Sequence, residues 1–186
     1  DQHRICIDNI ILEKTSAPEI DVPVGKNLLT NPEFEMGEDG SLAGWGNAVT
    51  APGDATFEAG DGKITYSVEN VGEADWNIQL KQMGLSLEQG ESYTLKCTLV
   101  SDVDRVVKVA VMTPSAGYAW HGGEDVVLTA GEAKDITLTI TPKEEVFTDG
   151  ITVDTGAGLF FSMGYVEGYT LGAHTVSISN VSFVKN

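Results

Sequence analysis

The residues with most chemistry to offer lie in one short stretch, Asp75-Trp76-Asn77-Ile78-Gln79-Leu80-Lys81-Gln82. Read as a strand, with successive side chains on opposite faces, it puts Ile78 and Leu80 on one side and Asn77, Gln79 and Lys81 on the other. Two amides and an amine at about 7 Å spacing present donors and acceptors in pairs. Sugar hydroxyls are bound by such groups, with an aromatic ring stacked on the sugar's C–H face. A solvated polar face would look the same. Strict alternation puts Trp76 on the core side, unless the strand begins after it or bulges there. A second cluster, Tyr118-Ala119-Trp120-His121-Gly122-Gly123, follows the strand-like segment 106–113 in a glycine-flanked loop. Loop aromatics are candidates for ligand stacking, and a loop anchor packed on the body is the alternative. Trp45 and Tyr66 read as core.

Several kinds of catalysis leave no trace. The sequence contains no His-Glu-x-x-His, no Gly-x-Ser-x-Gly, no phosphate loop and no Cys-x-x-Cys. His3, His121 and His174 are far apart along the chain. A glycosidase needs only two carboxylates flanking a bond, and the 28 acidic residues permit that. Most of them sit in glycine-rich turns, where acids are ordinarily solvated. A binding module, a structural or adhesive spacer, and an enzyme are the three readings in contention.

Composition narrows the partners. With 28 acidic and 11 basic side chains over 186 residues, the formal net charge is −17. Such a surface repels phosphate backbones and anionic membranes, which disfavours nucleic acid and membrane binding. No apolar run approaches the roughly 18–20 residues of a membrane-spanning helix. The chain opens at Asp1 without an initiator Met or signal peptide, and reads as a mature fragment or one module of a larger protein. Cys6 and Cys97 each lie in strand-like segments and are expected as buried thiols.

Two-residue alternation recurs from end to end, as in Tyr93-Thr94-Leu95-Lys96-Cys97-Thr98-Leu99 and Asp135-Ile136-Thr137-Leu138-Thr139-Ile140-Thr141. Each reads as a half-buried strand. Turn signals such as Asp61-Gly62, Gln89-Gly90 and Ala130-Gly131 punctuate these segments, and 21 glycines supply the reversals. The fold class is all-β, an antiparallel β-sandwich of the jelly-roll kind. Residues 3–14 resemble 174–185, with His, Ile, Asn and Lys coinciding. The later copy closes the domain at 27–186. The earlier one, within 1–14, reads either as the closing strand of a preceding module, joined by a linker over 15–26, or as an edge strand of this sandwich.

The opening Asn27-Leu28-Leu29-Thr30-Asn31-Pro32-Glu33-Phe34-Glu35, then Gly44-Trp45, resembles the start of carbohydrate-binding modules of the family 4, 9 and 22 type, with Pro32 in place of their Gly. Trp76-x-x-Gln79-Leu80, Leu87-x-x-Gly90-x-x-Tyr93-Thr94-Leu95 and Val176-x-Ile178-x-Asn180-Val181 match their later signatures in order. The resemblance covers Asn27 to Lys185. It implies a jelly roll with a concave ligand-binding sheet that binds a β-linked plant polysaccharide along a groove, with Trp76 and Gln79 lining it and Tyr118 and Trp120 completing the stacking. The carbohydrate-binding set is then Trp76, Asn77, Gln79, Lys81, Tyr118, Trp120 and His121.

Such modules often hold a structural Ca2+ near the N-terminal segment. The resemblance points to Glu35, to carbonyl oxygens around Asp61 to Lys63, and to the closing-strand position that is Ser179 here rather than Asp. The expected partners are xylan or xylo-oligosaccharides first and β-glucan second, with a linked catalytic domain such as a family 10 endo-xylanase. A monomeric, secreted or cell-surface, non-catalytic module is the overall expectation.

Overall fold

A computed structural model describes residues 20–186. The expected strand within 1–14, with His3 and Cys6, lies outside the described residues, as does the first part of the 15–26 linker. The chain forms ten strands: β1 Gly46–Val49, β2 Asp54–Gly60, β3 Lys63–Asn70, β4 Ile78–Glu88, β5 Tyr93–Ser101, β6 Arg105–Thr113, β7 Ala119–Leu128, β8 Lys134–Ile140, β9 Val153–Ser162 and β10 His174–Lys185. They make two five-stranded sheets, ordered β1-β4-β9-β6-β7 and β2-β3-β10-β5-β8, with every strand pairing antiparallel. This is the jelly-roll sandwich the alternation predicts.

Alternation translates directly into packing. Tyr93, Leu95, Cys97 and Leu99 of β5 turn inward and are buried, while Lys96 between them is exposed. β8 pairs with β5 from Tyr93↔Ile140 to Leu99↔Lys134, which aligns two wet faces and two dry ones. Between the sheets, Ile78, Leu80, Val107, Val109, Leu159 and Phe161 meet Ile64, Tyr66, Val176, Ile178 and Phe183 in one continuous core. Trp45 lies in that core, tilted against Phe34 and Phe161, and its indole N–H donates to the Asn31 carbonyl. Cys97 is buried, and desolvation pushes its thiol up to about 12.

Residues within the expected linker pack against the body. Val22 is buried, its N–H donates to Glu88 Oε1 at 3.1 Å, and Val24 forms a parallel bridge with Lys185. Buried Gln82 ties the next segment down, exchanging two hydrogen bonds with the Thr30 backbone at 2.6 and 2.9 Å.

One expectation about elements needs correction. The cluster at 118–123 is not a glycine-flanked loop, because β7 begins at Ala119 and runs through it. Gly122 pairs with Val111 and Gly123 with Ala110, so these glycines are strand positions against β6. A glycine is required at 123, where a Cβ would stand 2.5 Å from the Val109 carbonyl oxygen and 2.6 Å from the Trp120 ring.

Candidate functional site

The outer face of the first sheet carries a cleft of about 670 Å³. Strand register arranges its floor in rows that run across the strands. The first row places Gln79 of β4 opposite Ser162 of β9 and Lys108 of β6. Gly46, Lys81, Phe160, Ala110 and Gly123 form the second, and Met83, Gly158, Met112 and Trp120 the third. Small residues beside Phe160 open the floor. At Gly158 a Cβ would lie 2.5 Å from Met83 Sδ and 3.0 Å from the Phe160 ring.

The flanks are aromatic. Trp76 sits in a short 3-10 turn, Asp75–Asn77, just ahead of β4, and is 53% exposed. Trp120 on β7 is 40% exposed and Tyr118, before it, 61%. Tyr118 has a left-handed φ of 61°, directly after left-handed Gly117, and this reversal follows the turn at Pro114. The line from Trp76 to Trp120 therefore crosses from β4 to β7. Three strand spacings, about 14 Å, separate β4 from β7, and the first and third rows lie about 13 Å apart along the strands.

Asn77 does not belong to this face, which corrects its expected place beside Gln79 and Lys81. It is buried, its Oδ1 accepts the Glu73 and Ala74 N–H groups at 2.9 and 2.8 Å, and its Nδ2 donates to the Thr50 carbonyl at 3.0 Å. The turn interrupts the alternation before β4 begins. Its consequence is indirect: Asn77 pins the turn that holds the Trp76 ring out in solvent.

His121 is likewise displaced from the expected binding set, since its neighbour Trp120 faces the cleft and alternation sends His121 inward. It is buried, and its Nδ1 accepts the Lys143 N–H at 3.0 Å. That fixes the proton on Nε2, which donates to Thr113 Oγ1 at 2.8 Å, and Thr113 in turn donates to Asp154. Burial lowers the His121 pKa and keeps the ring neutral.

Gln79, Lys81, Trp76, Tyr118 and Trp120 do converge on the cleft. Gln79 Nε2 donates to Ser162 Oγ at 2.9 Å, which orients the amide on the floor. The sequence did not single out Phe160, Met83, Met112, Ser162, Lys108 or Asp75. Phe160 and Phe161 are adjacent, so one ring enters the core and the other the cleft floor. Asp75 pairs with Lys108, and that hydrogen bond holds the Lys108 pKa above its ordinary value.

For a metal, the expected donors were Glu35, Asp61, the Lys63 backbone and Ser179. Asp61 and Lys63 border the β2–β3 turn, and Lys63 pairs with Ser179 across β3 and β10. The Gly62 N–H donates to the Glu33 carbonyl at 3.0 Å, whereas Glu35 is exposed and its backbone carbonyl accepts from Asn31 Nδ2 at 2.9 Å. Among the described residues no three His, Cys, Asp or Glu side chains converge. Glu35 and Asp61 are the carboxylates of the expected set, and serine stands at 179 where the resemblance has Asp; no role for a metal is derived.

A two-sheet jelly roll carrying an aromatic-flanked, amide-floored cleft defines a class of sugar-binding sandwiches. The sequence profile described as "Carbohydrate binding domain", of families 4 and 9, matches residues 26–155, and the chain belongs to that family. A relative, Endoglucanase C of Cellulomonas fimi, is 24% identical over 159 residues; the match covers 76% of this chain and 14% of that protein's length. Among solved structures, a family 4 carbohydrate-binding module superposes with a TM-score of 0.66 at 18% identity, covering 85% of this chain and 99% of that one. A xylan-binding domain from Paenibacillus barcinonensis superposes with a TM-score of 0.53 at 10% identity, covering 89% and 97%. These superpositions establish the shared fold.

Proposed function

We propose that this module holds a β-1,4-linked plant polysaccharide, xylan first, in the cleft between Trp76 and Trp120, and thereby keeps a linked glycoside hydrolase on its substrate. The observation that carries this reading is the pair of exposed tryptophans on opposite flanks of one cleft, with Gln79, Ser162 and the Phe160 ring between them. Exposed indoles at both ends provide stacking surfaces, and the floor amide supplies directed hydrogen bonds to ring hydroxyls. The cleft is lined by one carboxylate, Asp75, which is already paired with Lys108. Glycoside hydrolysis ordinarily needs two, which supports a non-catalytic role. A tether to a catalytic domain raises that domain's effective concentration along the polymer. The match over a small part of a long endoglucanase fits such an arrangement, and a secreted or cell-surface location is part of the same reading. The same relative's name favours a second reading, in which the ligand is a β-glucan.

Native affinity electrophoresis separates these readings. Retardation in gels containing arabinoxylan, exceeding that by barley β-glucan, hydroxyethylcellulose and glucomannan, is the expected result. Retardation by glucans alone would move the ligand to β-glucan. Unchanged mobility in all four gels would leave a structural spacer.

A further inference from the structure

The cleft carries a charge that binding of a neutral sugar chain does not use. Nine basic residues lie in the described part of the sequence, and two of them, Lys81 and Lys108, line this one cleft of a protein with formal charge −17. Lys108 is matched by Asp75, and Asp125 stands opposite it on β7. Lys81 is different. It is half-buried, and among the described residues no carboxylate approaches its ammonium within 4 Å. No side-chain or backbone oxygen of the described residues accepts from it either. Both nearby carboxylates, Asp75 and Asp125, flank Lys108, so the cleft's ammonium group without a carboxylate partner among the described residues is that of Lys81.

Its position says what could reach it. Lys81 is in the middle row, with Phe160 on one side and Gly46 of the edge strand β1 on the other. The lysine stem lies over Gly46, where an added Cβ would stand 3.6 Å from Cγ and 3.7 Å from Cε. Among the described residues, the β1 position beside it is a glycine and puts no side chain over that flank. A substituent projecting sideways from a bound chain, over β1, would meet the ammonium group.

We infer that Lys81 is a receptor for a carboxylate carried on a side unit of the bound polysaccharide, so that the preferred ligand is a neutral β-linked chain with hexuronic acid substituents. This rests on the reading of the cleft as a polysaccharide site and names a finer ligand class for it. One unmatched ammonium suits sparse decoration. A chain charged at every unit meets the acidic surface outside the cleft and is repelled.

The test compares glucuronoxylan with the same polymer after reduction of its carboxyl groups to primary alcohols, with polygalacturonate as a fully charged control. Wild-type protein binds native glucuronoxylan about three- to tenfold more tightly than the reduced form, the scale of one partly exposed charged hydrogen bond. That ratio shrinks as NaCl is raised. Lys81→Met brings the ratio to about one, a comparison made within the variant so that any loss shared by both polymers cancels, and Lys81→Arg retains the preference. A thermal melt of each variant establishes that it is folded. Equal wild-type affinity for the two forms overturns the inference, as does a Lys81→Met protein that still discriminates, or tighter binding of polygalacturonate than of glucuronoxylan. In the first two cases binding to reduced polymer leaves the polysaccharide reading intact. Binding to none of the polymers brings both down.

Discussion

Trp76 and Trp120 face one cleft from strands that are not neighbours: β9 and β6 lie between the turn that carries Trp76 and the strand that carries Trp120. Neither ring supports the core, since both are substantially exposed. Trp76→Ala and Trp120→Ala should each weaken polysaccharide binding by roughly tenfold, corresponding to loss of one stacking contact of about 1–1.5 kcal/mol. Their melting temperatures should stay within a degree or two of wild type. Affinity electrophoresis paired with a thermal melt checks both halves.

Asn77 and Gln79 are two residues apart and should behave oppositely. Removing the Asn77 amide strands the Glu73 and Ala74 N–H groups and the Thr50 carbonyl. Asn77→Ala is expected to cost about 2–4 kcal/mol in urea unfolding. Gln79→Ala gives up one hydrogen bond to Ser162 on a solvated floor. It should lower affinity while shifting stability by less than about 1 kcal/mol.

Glycine at 123 is a packing requirement. Gly123→Ala drives a methyl group into the Val109 carbonyl oxygen and the Trp120 ring. A loss of about 1–3 kcal/mol in stability is expected, with weaker polysaccharide binding as Trp120 is displaced. Gly172, where nothing lies within 4 Å of an added Cβ, is the matched control. Gly172→Ala should change stability by no more than about 0.5 kcal/mol.

Two buried histidines couple stability to pH. Burial lowers the pKa of His121 and His174 below the ordinary 6.5. At His174 the neighbouring Arg105 guanidinium lowers it too, while the Gly172 carbonyl and Asp102 oppose the shift. Arg105 is fully buried, hydrogen-bonds His174 Nε2, and also holds the Met163 carbonyl. Below about pH 6.5 the unfolded chain takes up protons that the folded histidines refuse, so their contribution is intact above that pH and declines below it. Relative to His174→Gln, the wild-type melting temperature should fall by roughly 2–4 °C between pH 7.5 and 5.5. Parallel melts of the two proteins at several pH values check this.

Most of the sandwich was legible because alternation and burial agree. In β5 and β8 the alternating apolar positions turned inward, and Tyr66 and Trp45 proved to be core. Trp76 and Asn77 show where the pattern stops: a 3-10 turn has no two-residue period, so the tryptophan came out and the asparagine went in. Gly122 and Gly123 looked like a turn, yet both are strand positions, and Gly123 makes room for Trp120. Phe160, Met83 and Met112 were invisible as a group, because only register across three strands places them together. β6, written Arg-Val-Val-Lys-Val-Ala-Val-Met-Thr, hid Lys108 and Met112 within an apolar run.

The most direct test is a titration of isotope-labelled protein with xylohexaose, observing the indole N–H signals of the three tryptophans. The signals of Trp76 and Trp120 should move together with the Gln79 side-chain amide, while buried Trp45 stays in place. Perturbations confined to the opposite sheet, β2-β3-β10-β5-β8, or no perturbation by xylohexaose and cellohexaose alike, would contradict the assignment of this cleft as the polysaccharide site.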